Sequence, residues 1–146
     1  MLQRLQSIYL FVAAALLVAF AFTTSVTVAT GAGVYNLGVL YSGIADQVAP
    51  NYLLMVMDIL IVVLSLITIF KYKNLANQLR LCSITIALAV AMMVSIGVLA
   101  YGQMSLGAVT FTVFNALPVG ALVMLLLARR GIARDKKLIS DSERIR

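Results

Sequence analysis

Of 146 residues, 63% are hydrophobic and 11% charged, and 11 Lys and Arg against 5 Asp and Glu leave a net charge of +6. Soluble domains use roughly 45–50% apolar residues, so this composition excludes an ordinary solvated globule. The basic residues sit at the ends of apolar runs, where membrane topology places them, which argues against nucleic acid as their target.

The chain starts with a short polar stretch carrying Arg4, followed by an apolar run over 8–29. It has the look of a signal peptide, with small residues near Ala21 and Ala29. It is also long enough to cross a bilayer core, which takes about 20 helical residues, and we read it as a first transmembrane helix. Ala15, Ala19, Thr23 and Thr27 recur every four residues, a small-residue stripe that lets a second helix approach closely. The outer loop 30–51 holds four glycines, Pro50 and a single charge, Asp46. Within it, residues 34–41 are partly apolar and rich in β-formers, which suits a short hairpin or an interfacial segment. Tyr35, Tyr41 and Tyr52 fit an aromatic belt at headgroup level.

Residues 52–70 form a second apolar span, broken only by Asp58 and two hydroxyls. A basic linker, 71–80, carries Lys71, Lys73 and Arg80 and is long enough for a helix hairpin but not for a domain. The third span, 81–101, has its own small stripe of Ala87, Ala91 and Ser95, and opens on Cys82, the one cysteine, so no intrachain disulfide exists. An uncharged turn, 102–107, leads to a fourth span, 108–128, containing Asn115 and Pro118. Pro118 cannot donate to the Phe114 carbonyl, which predicts a helix kink. A tail, 129–146, follows with seven basic and three acidic residues. Its apolar positions pair at spacings of seven, Ile132 with Ile139 and Leu138 with Ile145, as a narrow stripe on a polar helix.

The expected fold is therefore an all-α integral membrane protein, one domain of four transmembrane helices in an antiparallel bundle with a short helical cytoplasmic tail. All 11 Lys and Arg fall on one side of this arrangement, so the positive-inside rule puts both termini and the 71–80 linker in the cytoplasm. Arg4, Lys73, Arg80, Arg129, Arg130, Arg134, Lys136, Lys137, Arg144 and Arg146 are the candidate contacts for anionic headgroups or for a partner protein.

Asp58 is the only ionisable residue inside a span. Six residues from Tyr52 at about 1.5 Å each, it lies roughly 9 Å deep, and Asn115 enters the fourth span to a similar depth. A hydrogen bond between them would satisfy both in an apolar interior; the sharper reading is a proton or cation site. Histidine is absent, which removes the commonest metal ligand and general base. No catalytic set, cofactor site or metal cluster is expected.

Three motifs carry a family resemblance: the start Met1-Leu2-Gln3-Arg4-Leu5-Gln6-Ser7-Ile8-Tyr9-Leu10, the linker Tyr72-Lys73-Asn74 through Gln78-Leu79-Arg80-Leu81-Cys82, and the end from Leu117-Pro118 through Leu127-Ala128-Arg129-Arg130-Gly131-Ile132-Ala133-Arg134-Asp135 to Glu143-Arg144-Ile145-Arg146. Together they resemble a family of four-span membrane proteins of Bacteroidota, domain of unknown function 4293. Lys136 and Lys137 stand where acidic residues are expected in that family. The resemblance implies an inner-membrane location and a contact surface at the cytoplasmic ends, and no activity or catalytic residue. The expected role is a non-enzymatic accessory or scaffold subunit of a larger inner-membrane complex, touching other membrane proteins or copies of itself. The alternative is a small oligomeric transporter or channel using Asp58 and Asn115.

Overall fold

A computed structural model of the chain describes residues 2–31, 33–44, 47–71 and 74–144. Helix α1, Leu2–Ala21, leads into strands β1 (Thr24–Thr30), β2 (Gly33–Gly38), β3 (Tyr41–Ile44) and β4 (Gln47–Pro50). Helices α2 (Tyr52–Phe70) and α3 (Leu75–Gly102) follow, then β5 (Ala108–Phe111), a 3-10 turn Val113–Asn115 and helix α4 (Ala116–Arg144).

The all-α expectation is overturned by this five-stranded antiparallel sheet, ordered β4-β3-β2-β1-β5. The segment expected as the first outer loop, together with the ends of spans one and four, builds one sheet, while the turn after α3 leads into β5. Hydropathy cannot separate the two states here, because Val, Ala and Thr count as apolar or neutral in a helix and in a strand alike. The period does separate them. Val26 and Val28 of β1 are fully buried while the intervening Thr27 is not, the alternation of a half-buried strand. Helix α1 ends at Ala21 where Thr23 folds back, its backbone N–H and its Oγ1 both donating to the Phe20 carbonyl at 2.9 and 2.8 Å. The first span expected over 8–29 thus slides toward the N-terminus, and its last third becomes β1. The fourth, expected over 108–128, loses Ala108–Phe111 to β5.

The sheet lies where α1 and α3 end and α2 and α4 begin. Its inner face, carrying Val26, Val28 and Leu37, joins Phe20 and Val39 of the β2–β3 turn in the same buried core as the helix interiors. Two devices shape it. Gly33, with φ +134°, takes the backbone conformation that the tight β1–β2 connection needs. Ser25 is the extra residue of a bulge, because pairing shifts between Thr24 and Val26. The bulge frees the Ser25 carbonyl from the β1–β2 ladder.

Below the sheet, α1 and α3 each pack against both α2 and α4. Helix α2 is inside-out relative to a soluble helix. Its buried positions include Asp58, Ser65 and Thr68, while Val56, Ile59, Leu60 and Val63 are exposed. Helix α3 repeats this, with Gln78 and Thr85 inside and Ile84, Val90, Val94 and Val98 outside. An apolar outer face with polar groups turned inside is what a lipid solvent selects. Ser65, Thr68 and Thr85 each donate to the carbonyl four residues back, so none is an orphan in the interior.

By length and composition, three helices among the described residues can cross a membrane: α2, α3 and the helix running through α4. Within α1, the apolar stretch Leu5–Ala21 is shorter than these three. Helix α4 runs on without a break through most of the expected tail. Its 29 residues measure about 44 Å, against a hydrocarbon core of about 30 Å. Pro118, expected to kink a span at its middle, instead lies in the first turn of α4, just after the 3-10 turn. There a missing N–H costs little, because first-turn donors have no intrahelical acceptor.

Candidate functional site

Polar chemistry is concentrated at two levels, one just under the sheet and one at the opposite, basic end. Under the sheet, Asn115 occupies the 3-10 turn entering α4, and its Nδ2 donates to the Ser25 carbonyl at 2.7 Å. The Thr112 N–H donates to the same oxygen at 3.0 Å. The bulge carbonyl therefore ties β1 to the start of α4 through two donors. Asn115→Ala removes one of them and should cost about 1 kcal/mol of stability, read as a lowered unfolding midpoint in detergent.

The expected hydrogen bond between Asp58 and Asn115 is not formed. Asp58 is 4% exposed, and its Oδ1 has no hydrogen-bond partner among the described residues. It lines a 210 Å³ cavity between α1 and α2, with Val18, Phe22, Leu40, Ile59 and Val62 among its neighbours. Asn115 lines a different cavity of 240 Å³ between α3 and α4, with Met93, Gly97, Phe111 and Pro118. The two cavities share no lining residue, so the structure does not bring this pair together. A buried, unpaired carboxyl oxygen is unfavourable, and the cavity beside it has room for a larger side chain. Asp58→Leu should therefore raise the unfolding midpoint, by about 1 kcal/mol of stability. A lowered midpoint would mean that the carboxyl group has a partner in the membrane.

At the basic end, three polar stitches join neighbouring helices. Gln6 Nε2 of α1 donates to Asp135 Oδ2 of α4 at 2.5 Å, and both residues are buried. Gln78 Nε2 at the start of α3 donates to the Thr68 carbonyl near the end of α2 at 3.2 Å. Arg129 Nε of α4 donates to Ser83 Oγ of α3 at 3.0 Å. Gly131 lets the Gln6 side chain cross α4, since a Cβ there would stand 2.9 Å from Gln6 Cγ. Nearby, the Cys82 thiol is buried and donates to the Leu125 carbonyl at 3.6 Å.

The basic candidates divide as follows. Arg80, Arg129, Arg130, Arg134, Lys136 and Lys137 are exposed. Arg4 and Arg144 lie in α1 and α4, and Lys73 and Arg146 lie outside the described residues. Of the apolar tail stripe, Ile132 is fully buried between the helices, whereas Leu138 and Ile139 are 56% and 48% exposed. The small-residue stripes are not used inside the fold: Ala15 and Ala19 of α1 and Ala87 and Ala91 of α3 face outward. Among the described residues no group of three or more Cys, Asp or Glu could hold a metal ion.

This geometry, with its stitches among the start, linker and end motifs, covers the segments that carry the family pattern. The family described as domain of unknown function (DUF4293) matches residues 2–145. The chain belongs to the DUF4293 family. No curated protein matches it. In this DUF4293 chain the residues that sequence reasoning missed are Gln6, Gln78, Ser83 and Asp135, each a partner in a helix-to-helix hydrogen bond. Their partners lie on other helices, and no local pattern around any of the four marks it as bonded. Ser25 was missed for a different reason, since a bulge cannot be read from composition.

Proposed function

We propose that the chain is a non-enzymatic accessory or scaffold subunit of a larger assembly in a bacterial inner membrane, with both termini in the cytoplasm and the sheet outside. The observation that carries this reading is the far end of α4. Beyond Asp135, the last buried residue of the helix among those described, Leu138 and Ile139 are exposed among Arg134, Lys136 and Lys137. An apolar pair on a rigid basic helix, held by the Gln6–Asp135 bond, fits the groove-binding mode of helix recognition. The outward small residues of α1 and α3 support it, since such faces let further helices pack closely. The basic residues lie away from the sheet, which supports the cytoplasmic placement. A transporter or channel built on Asp58 and Asn115 is the weaker reading, because the two line separate cavities.

The test is purification in mild detergent followed by mass spectrometry of what comes with the chain. A stable partner is expected with wild type and should be lost from a Leu138→Asp, Ile139→Asp double variant of unchanged helix content. A wild-type protein recovered alone, or only as a homo-oligomer, would sink the subunit reading.

A further inference from the structure

A groove of 570 Å³ lies between α3 and α4 at the basic end. It is lined by Leu79 of α3 and by Val123, Leu126, Leu127, Arg129, Arg130 and Ala133 of α4. The arrangement has two parts along the axis of α4. Val123, Leu126 and Leu127 form an apolar floor on the side nearer the bilayer centre, and one turn further on Arg129 and Arg130 close the end. Arg129 is fixed in place, because its Nε donates to Ser83 Oγ, and this leaves the N–H donors of its two terminal nitrogens available. Among the described residues no carboxylate pairs with Arg129 or Arg130. The volume falls within the roughly 300–1,000 Å³ of ordinary ligand sites.

We propose that this groove is a binding site for an anionic phospholipid of the leaflet at the basic end, with an acyl chain along Val123, Leu126 and Leu127 and the phosphate on Arg129 and Arg130. The charge pattern selects this occupant. Two guanidinium groups fit phosphate oxygens by bidentate hydrogen bonding. Ending an apolar groove at the depth where a bilayer changes from chains to headgroups, they match an amphiphile with a negative head. A transmembrane helix would satisfy the apolar floor and leave both arginines unpaired. A basic pocket between membrane helices near the interface is a recognised setting for acidic lipids. The site rests on the helices lying in a bilayer and is independent of any partner protein. Ser83 is a positioning residue in it, acting through Arg129.

The full-length protein in neutral detergent, titrated with phosphatidylglycerol or phosphatidylcholine and read by native mass spectrometry, tests the site. Wild type should hold one phosphatidylglycerol and prefer it over phosphatidylcholine by about tenfold. Arg129→Ala with Arg130→Ala should abolish the preference, whereas Lys136→Ala with Lys137→Ala, an equal loss of charge, should keep it. Val123→Trp, which fills the groove without changing charge, should displace the bound lipid and also covers the case that the arginine variant fails to fold. Equal binding of both lipids by wild type overturns the proposal, as does an equal effect of the two charge-removing pairs or undiminished binding by Val123→Trp.

Discussion

Gly107→Val should unfold the sheet from one corner and lower stability by about 3 kcal/mol, the upper part of the range for forcing extra atoms into packed structure. Gly107 stands just before β5, beside the Ala29–Ala108 pair that ends the β1–β5 ladder. A Cβ on it would stand 1.8 Å from the Ala29 carbonyl oxygen and 2.9 Å from its carbon. Both atoms are backbone, so no side-chain rotation relieves the overlap. The β5 strand must lift from β1, and the same shift pulls Thr112 and Asn115 away from the Ser25 carbonyl that holds them. The measurement is an unfolding titration in detergent together with the strand component of the circular dichroism spectrum. Gly102→Ala is the control, since no atom lies within 4 Å of the position a Cβ would take there, and it should leave both readouts unchanged.

Gln6→Leu should cost about as much, roughly 3 kcal/mol, for an electrostatic and not a steric reason. It strips the donor from Asp135 and leaves a carboxyl group that is 8% exposed without its 2.5 Å partner. Replacing both residues, Gln6→Leu with Asp135→Leu, should recover most of that loss, because two apolar side chains in contact leave nothing unsatisfied. The double variant being more stable than Gln6→Leu alone is the signature of a buried pair. If the single substitution costs no more than a few tenths of a kcal/mol, water reaches Asp135 and the helix end is looser than its burial indicates. The same pair bears on the proposed partner surface, since Gln6 fixes the last covered turn of α4 before Leu138 and Ile139.

Helix α2 was legible in the sequence with its bounds, and α3 as an apolar run, although α3 starts at Leu75, inside the stretch 71–80 expected as a linker. Tyr52 follows Pro50 and Asn51, and Asn74 caps α3 by accepting from the Asn77 N–H at 3.2 Å. The segregation of basic residues was legible because charge is read directly. What failed was the division between helix and strand at the outer ends of α1 and α4. Hydropathy averages over a window and is blind to period, so Thr24–Thr30 and Ala108–Phe111 counted as membrane helix. The alternation that marks them is short, and in β1 the Ser25 bulge breaks it. The suggestion of a hairpin within 34–41 was too short: that stretch holds β2 and the turn, and β2 pairs with β3 beyond it, Tyr35 opposite Ile44 and Leu37 opposite Ser42.

The site candidates divide in the same way. Asp58 and Asn115 were recognisable as polar residues in apolar surroundings, but depth along a helix says nothing about the angle around it. They look onto different helix gaps. The Gln6–Asp135 bond spans 129 residues of sequence, and no local pattern announces a contact of that separation. Pro118 was read against a helix that began too early; once the helix starts at Ala116, proline is an ordinary first-turn residue.

The position of β5 dictates an order of events during synthesis. The strands β1 to β4 are consecutive and can pair as soon as they are made, but β1 then presents an open edge. The strand that covers it arrives only after α2 and α3 have been made, and the bond that locks it, Asn115 to Ser25, closes a loop of 90 residues. Closure of so long a loop is slow relative to a local hairpin. For that interval the growing chain carries an unpaired strand edge, which is the stage at which it is most exposed to mispairing with another copy.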